Sequence, residues 1–151
     1  AYVQCFDYFF EQSLPLLFAH LRKEGVTSDM FLLDWHLTLF VKPLPLDVAA
    51  RVWDCFLAGD EMYGLRIALG ILRLYGPELS GMNLEQLMTF LTRLPEDLSA
   101  DMLLDSVGEI KISYKKFKKV REKAEQQAGV ADNTLSAEEA GGGKDKGCCV
   151  V

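Results

Sequence analysis

The sequence predicts an all-α fold, a bundle of about six or seven helices. Apolar residues recur at three- and four-residue intervals through most of the chain. Half of the 151 residues are hydrophobic, and prolines and glycines fall mainly between the periodic segments. A brief alternation around Ile110 and Ile112 is the strongest strand-like pattern. This length is sufficient for one domain with a hydrophobic core.

The first two helices are predicted for residues 1–12, which are rich in aromatic side chains, and for the segment after Ser13. Ser13 is a candidate N-cap for the second helix, and Pro15 is tolerated in a first turn. Gly25 suits the left-handed position that follows a helix C-terminus. The apolar stripe of the second helix comprises Leu14, Leu17, Phe18 and Leu21.

The third helix is predicted from Ser28 to Phe40, before two prolines. The fourth lies in the segment PLDVAARVWDCFLAG, where Asp47 and Arg51 are four residues apart and are expected to pair. One apolar face of this helix consists of Val48, Val52, Cys55 and Phe56.

The fifth helix, from about Asp60 to Tyr75, is apolar on almost all sides. Arg66 and Arg73 form its charged stripe, so this helix is expected at the buried centre of the bundle. Asn83 and Gln86 match a capping-box variant at the start of the sixth helix.

The C-terminal part of the chain differs from the rest in composition. A short helix near residues 99–107 and a basic helix near residues 113–127 complete the helical set. The residues beyond are small and polar, and we expect them to be disordered. The predicted organisation is a partial helical domain at 1–110, a basic helix at 111–128 and a flexible tail at 129–151 that ends in CCVV.

Charge is unevenly distributed along the chain. The net charge is −6, but residues 1–110 carry −9 and residues 111–151 carry +3. An acidic body makes nucleic acid an improbable partner for residues 1–110. The four cysteines do not form a disulfide framework, which favours a reducing, cytoplasmic compartment. The chain begins with Ala and lacks the pattern of a signal peptide or a membrane span, so we expect a fragment or a processed product.

One long segment carries a family resemblance. Asp34 and Trp35 precede an LTLF run, a Leu-Pro-Leu turn follows, and the next helix contains Arg51, Trp53 and Asp54. In this order and spacing, the pattern resembles the C-terminal half of a TBC domain, the catalytic domain of Rab GTPase-activating proteins. The resemblance covers roughly residues 8 to 107, a range that includes the later segment QLMTFLTRLPEDLSADML.

The resemblance implies an activator of GTP hydrolysis by a Rab-type small GTPase. Such domains supply an Arg and a Gln in trans, within I-x-x-D-x-x-R and Y-x-Q-G motifs. The first motif has no counterpart in the chain. Tyr2-Val3-Gln4 matches part of the second, but Cys5 replaces the Gly and the surrounding residues form a helical stripe. We therefore interpret the triplet as helix, and assign no catalytic residue and no cofactor.

Other candidate residues have structural interpretations that compete with functional ones. Arg51 is interpreted as an ion-pair residue rather than a finger, while Trp35 and Trp53 are predicted to pack in the core. Arg66 and Arg73 are interpreted as the edge of a buried helix. His20, His36, Cys5 and Cys55 are candidate zinc ligands, although no ligand spacing among them supports a zinc site.

Two features near the C-terminus leave alternatives open. The basic run around Lys115, Lys116, Lys118 and Lys119 fits either a solvated helix or attraction to an anionic membrane or acidic partner. The final CCVV has a C-a-a-X shape, with Cys148 and Cys149 as lipidation candidates, although Val is not a favoured last residue. A lipid on the tail and the basic helix would together add peripheral contact with intracellular membranes.

Two functional hypotheses follow from these observations. In the first, the chain is the C-terminal part of a Rab GTPase activator whose fingers lie upstream of Ala1. In the second, it is a non-catalytic helical interaction module or a membrane-tethered adaptor. Both motifs upstream would favour the first hypothesis, and an initiator Met directly before Ala1 would favour the second.

Overall fold

The structure is a computed structural model that describes residues 1–59 and 62–139, with side chains through residue 128. Within these ranges all regular secondary structure is helical, as the sequence predicts. In chain order the helices are α1 Tyr2–Ser13, α2 Pro15–Lys23, α3 Asp29–Leu37, α4 Leu46–Ala58, α5 Tyr63–Leu74, α6 Gly76–Leu79, α7 Leu84–Thr92, α8 Ala100–Gly108 and α9 Tyr114–Glu139.

Helix α5 is the centre of the bundle, as its all-round apolarity predicts. Its buried residues include every position from Gly64 to Leu72 except Arg66. Helix α8 packs closely along α5 at Gly70, where an added Cβ would lie 2.5 Å from Cγ2 of Val107. The Ser106 hydroxyl donates a hydrogen bond of 2.9 Å to the Gly70 carbonyl in the same contact. A glycine at this position therefore allows the two helices to approach.

The junction of α1 and α2 differs from the prediction. Ser13 is the last residue of α1 and does not cap α2, whose N-cap is Leu14 without a side-chain hydrogen bond. Pro15 occupies the first turn of α2, as predicted. The predicted cap is wrong because α1 continues through Ser13, which leaves a single residue between the two helices.

Helix α2 ends in the predicted left-handed glycine. Gly25 has φ +83°. Its N–H donates to the Arg22 carbonyl at 3.1 Å, and the Val26 N–H donates to the Leu21 carbonyl at 2.8 Å. This pair of bonds is a Schellman motif, which satisfies carbonyl groups that the helix end would leave without partners.

The capping box at α7 is confirmed. The Gln86 N–H donates to Asn83 Oδ1 at 3.0 Å, and the Asn83 N–H donates to Gln86 Oε1 at 3.1 Å. The four-residue helix α6, which directly follows the turn at Tyr75, was not expected from the sequence. The predicted start of α5 near Asp60 lies outside the described residues.

The last helix packs against the first. Phe9 and Phe117 bring α1 and α9 together with ring centroids 6.4 Å apart. Helix α9 continues to Glu139, beyond Gln127, at which the sequence places its end. The remaining tail, with Cys148 and Cys149, lies outside the described residues. Among the described residues, no helix is long and apolar enough to cross a bilayer.

Candidate functional site

Trp35 lies in the core, as predicted. Its side chain is 1% exposed, and the indole Nε1 donates to the Leu91 carbonyl of α7 at 2.8 Å. The ring also contacts Phe31 and Phe40, with centroid distances of 5.0 and 6.2 Å. Trp35 therefore holds α3 against α7 through both apolar packing and a buried hydrogen bond.

Trp53 lies at the surface, so the prediction that it packs in the core is wrong. The side chain is 39% exposed, and Nε1 donates to the Leu39 carbonyl at 2.7 Å. The prediction fails because Trp53, one turn after the buried Ala49, lies at the edge of the face of α4 that Val48, Ala49 and Val52 bury.

The turn that Trp53 contacts has an uncommon backbone. Leu39 and Phe40 have φ values of 49° and 63°, in the left-handed region that bulky residues seldom occupy. The turn is held by bonds from Leu39 N to the His36 carbonyl at 3.1 Å and from Phe40 N to the Trp35 carbonyl at 2.8 Å. With the Trp53 bond, these contacts fix the LTLF run against α4. The turn buries Phe40 and exposes 47% of Leu39.

A set of exposed apolar side chains lies on this turn and on the two helices beside it in the chain, α3 and α4. On α3 it occupies the side of the helix opposite the buried Phe31 and Trp35, and on α4 it follows the line of Trp53. Leu37 and Leu57 are its most exposed members, at 83% and 85%. We call it the α3–α4 apolar surface, and its residues are Met30, Leu33, Leu37, Leu39, Leu46, Trp53 and Leu57. Exposed apolar side chains that cluster on a surface are typical of a protein contact site.

The charged residues of the α4 motif are also exposed. Arg51 is exposed, and its guanidinium is 4.0 Å from the carboxylate of Asp101 on α8. Arg51 therefore forms the expected ion pair, but with Asp101 rather than with the predicted partner Asp47. Asp54 is exposed. An exposed pair at this distance contributes little stability, about 0–1 kcal/mol.

The N-terminal triplet is helical, as interpreted from the sequence. Tyr2 and Gln4 belong to α1, and the Tyr2 ring lies 4.6 Å from the His36 ring. Burial, with a smaller effect of the neighbouring Cys5 thiol, raises the pKa of the Tyr2 phenol to about 12. Burial also lowers the pKa of His36. Tyr2 thus packs between helices, whereas Gln4 is exposed on α1.

The comparisons with known proteins point to one family. A family model described as the Rab-GTPase-TBC domain matches residues 1–80. Human TBC1 domain family member 14 is 45% identical over 117 residues, and Xenopus tropicalis TBC1 domain family member 12 is 44% identical over 121. Drainin from Dictyostelium discoideum is 34% identical over 123 residues.

The chain belongs to the Rab-GTPase-TBC domain family. The family model covers more than half of the sequence, and helices α1 to α6 lie within the matched range. The alignments cover 78%, 79% and 81% of the chain, but only 17%, 18% and 28% of the three relatives. The TBC chain thus spans a minor part of each of these proteins.

The arginines of the central TBC helix have structural partners. Arg66 donates to the Ile112 carbonyl at 3.1 Å, and Arg73 pairs with Glu109. Both contacts join α5 to the segment that follows α8, in agreement with the interpretation of these residues as the edge of a buried helix. The described part of the chain thus uses these two guanidinium groups in its own packing.

The zinc alternative receives no support from the geometry. His20 Nε2 lies 2.9 Å from the Met82 carbonyl, while Cys5 is buried and Cys55 is half-buried. Among the described residues, no three histidine, cysteine or acidic side chains converge as a metal site would require.

The basic residues of α9 are displayed on the surface. Lys115, Lys116, Lys118 and Lys119 are all exposed. The Lys116 ammonium lies 5.4 Å from the centroid of the Tyr8 ring, which places it in cation–π range. The sequence identified these lysines as a patch, but it did not indicate that α1 would support them.

Proposed function

We propose that the chain is part of a Rab-type GTPase-activating protein, and that it contributes helical scaffold and contact surface rather than catalytic side chains. The observation that carries this proposal is TBC family membership in a chain that aligns with less than a fifth of its TBC1 relatives. The partner would be a Rab-family small GTPase. The Arg and Gln fingers would then come from another segment of the longer protein.

The positions of the candidate side chains support the assignment of the catalytic fingers to another segment. An Arg finger must reach the transferred phosphoryl group of the partner, and it accelerates hydrolysis by about 10³–10⁵-fold. Arg66 and Arg73 are used within the chain, and Arg51 lies in the middle of α4 within reach of Asp101. Gln4 lies on a helix and is followed by Cys5 rather than Gly. These placements favour structural roles for all four residues.

The α3–α4 apolar surface supplies the proposed contact. Its exposed leucines and the half-exposed Trp53 resemble the apolar centre of a protein interface. We infer that this surface is buried in the working activator, against the GTPase or against another segment of the same protein.

A non-catalytic interaction module is the second candidate. The same apolar surface supports it, because such a surface binds a partner whether or not catalytic fingers are present. The coding sequence upstream of Ala1 separates the two candidates. I-x-x-D-x-x-R and Y-x-Q-G motifs upstream would support the activator, whereas an initiator Met directly before Ala1 would contradict it.

Activity of the longer protein provides the functional test. If both motifs are found, that protein should accelerate single-turnover GTP hydrolysis by a Rab GTPase. Substitution of the motif Arg by Ala should abolish the acceleration, while Arg51→Ala should leave most of it. If Arg51→Ala removes the activity of a correctly folded protein, the assignment of the finger to an upstream segment is wrong.

For the case in which Val151 is the C-terminus of the protein, we separately propose lipidation of Cys148 or Cys149, from the C-a-a-X shape of the last four residues. It would place the protein peripherally on intracellular membranes. The double variant Cys148→Ser/Cys149→Ser should lower the membrane-bound fraction of the protein in expressing cells. If the double variant fractionates like the parent chain, the lipid does not act as an anchor.

A further inference from the structure

The rotation of α9 about its axis is fixed by its packing on α1. Phe117 and Ala124 are 3% and 5% exposed, and Phe117 contacts Phe9 of α1. These two residues are seven apart, so they mark one side of the helix. The opposite side of α9 must therefore face solvent.

Lysines occupy the outward side of the helix. Lys115, Lys119 and Lys123 recur every four residues and are exposed, and Lys116 flanks them above the Tyr8 ring. We call these four residues the α9 lysine face. None of Lys115, Lys119 and Lys123 has an ion pair within the described part of the chain, and Glu122 is the carboxylate that interrupts the face. By contrast, Arg121 is paired with Glu125 at 3.0 Å, away from this face.

The charge distribution would orient the domain on a charged surface. Residues 111–128 carry seven basic and two acidic side chains, a net charge of +5, whereas residues 1–110 carry −9. An extended anionic surface would attract α9 and repel the acidic body, so the domain would settle with α9 towards that surface.

The side-chain types favour a membrane over an acidic protein. Protein interfaces are enriched in Arg and depleted in Lys, whereas all the basic residues of this face are lysines. The hydrocarbon stem of a lysine can lie along an apolar surface while its ammonium group extends outward. In this arrangement the ammonium group can contact a phospholipid headgroup. Tyr8 is 39% exposed beside Lys116, and tyrosine is enriched at membrane–water interfaces.

We propose that the α9 lysine face binds anionic phospholipid bilayers and orients the domain on the membrane. The proposal depends neither on GTPase activation nor on a lipid at the C-terminus. It assigns the basic helix an electrostatic contact that would weaken as salt screens it.

The test uses the full chain carrying Cys148→Ser/Cys149→Ser, so that no lipid contributes. Cosedimentation is measured with phosphatidylcholine vesicles, with and without phosphatidylserine. The chain should bind only the phosphatidylserine vesicles. Lys115→Gln/Lys119→Gln/Lys123→Gln should weaken binding on the order of 100-fold, because each lysine contributes roughly fivefold. The corresponding Lys→Arg triple variant should retain binding.

The matched control is Lys23→Gln/Lys42→Gln/Arg93→Gln, which removes the same charge from exposed positions outside α9. It should keep most of the binding, and circular dichroism should show the same helix content for all variants. Equal loss in the control, or equal binding to neutral vesicles, would overturn the proposal. Retention on RNA or on an acidic polypeptide, without binding to phosphatidylserine vesicles, would also overturn it.

Discussion

The two tryptophans show how similar residues acquire different roles in this chain. Each indole donates a hydrogen bond to a backbone carbonyl, Trp35 to Leu91 and Trp53 to Leu39. The difference is burial, since Trp35 is 1% exposed and Trp53 is 39% exposed. A buried carbonyl that loses its donor cannot be rescued by solvent, whereas an accessible one can.

This difference leads to a prediction for the free energy of unfolding. Trp35→Phe should lower it by about 2–4 kcal/mol, because the Leu91 carbonyl loses its partner and the core loses volume. Trp53→Phe should lower it by only about 1 kcal/mol. Urea denaturation followed by circular dichroism measures both values. Equal losses for the two variants would contradict the assignment of Trp35 as the core residue.

The conformation of a single residue could be predicted from the sequence where its neighbours along the chain determine that conformation. The left-handed Gly25 and the Asn83–Gln86 capping box depend on neighbours within a few positions, and both were predicted. Trp53 and the partner of Arg51 were missed because they depend on contacts between distant helices. Periodicity identifies the apolar sides of a helix, but it does not show which of them the rest of the fold covers.

At the scale of elements, α5 and α8 form the most extensive helix–helix contact among the described residues. A Cβ at Gly70 would lie 2.5 Å from Cγ2 of Val107, and 3.3 Å from both its Cα and its N. The side chain could turn away, but the backbone of α8 would also have to shift. This position therefore requires a residue without a side chain.

Gly70→Ala should therefore lower the free energy of unfolding by about 1–3 kcal/mol. The control is Gly108→Ala at the end of α8, where an added Cβ meets nothing within 4 Å. That variant should be neutral or more stable by up to about 1 kcal/mol, since Ala favours helix. Thermal unfolding of the two variants gives the comparison. A Gly70→Ala protein as stable as the parent would mean that α5 and α8 pack less closely.

The order of the helices was predictable because breakers and caps separate the periodic segments. Some element-level features differ from the prediction. The junction at Leu14 leaves no room for a Ser13 cap, and the short α6 has too few residues to show a periodicity. Helix α9 was expected from its composition, but its support by α1 depends on the contact between Phe9 and Phe117.

At the scale of the whole molecule, the α3–α4 apolar surface should promote self-association of the chain on its own. Leu37→Glu/Leu57→Glu should increase the monomer fraction in size-exclusion chromatography with light scattering, without lowering the free energy of unfolding. These leucines are 83% and 85% exposed, so charged replacements meet no steric conflict.

Leu16→Glu provides the control for that experiment. Leu16 is 87% exposed but lies on α2, outside the α3–α4 apolar surface. Its replacement should leave the monomer fraction close to that of the parent chain. If Leu16→Glu is as effective as the double variant, general surface charge rather than this surface controls association.

If the chain is TBC scaffold without catalytic fingers, it should not accelerate GTP hydrolysis, and a single-turnover assay measures this. The 151-residue chain would be added in excess to a panel of GTP-loaded Rab GTPases, with an intact TBC activator as the positive control. Every GTPase should hydrolyse GTP at its intrinsic rate. Acceleration by the chain, lost on Arg51→Ala or Gln4→Ala, would show that the chain carries a finger and is not scaffold alone.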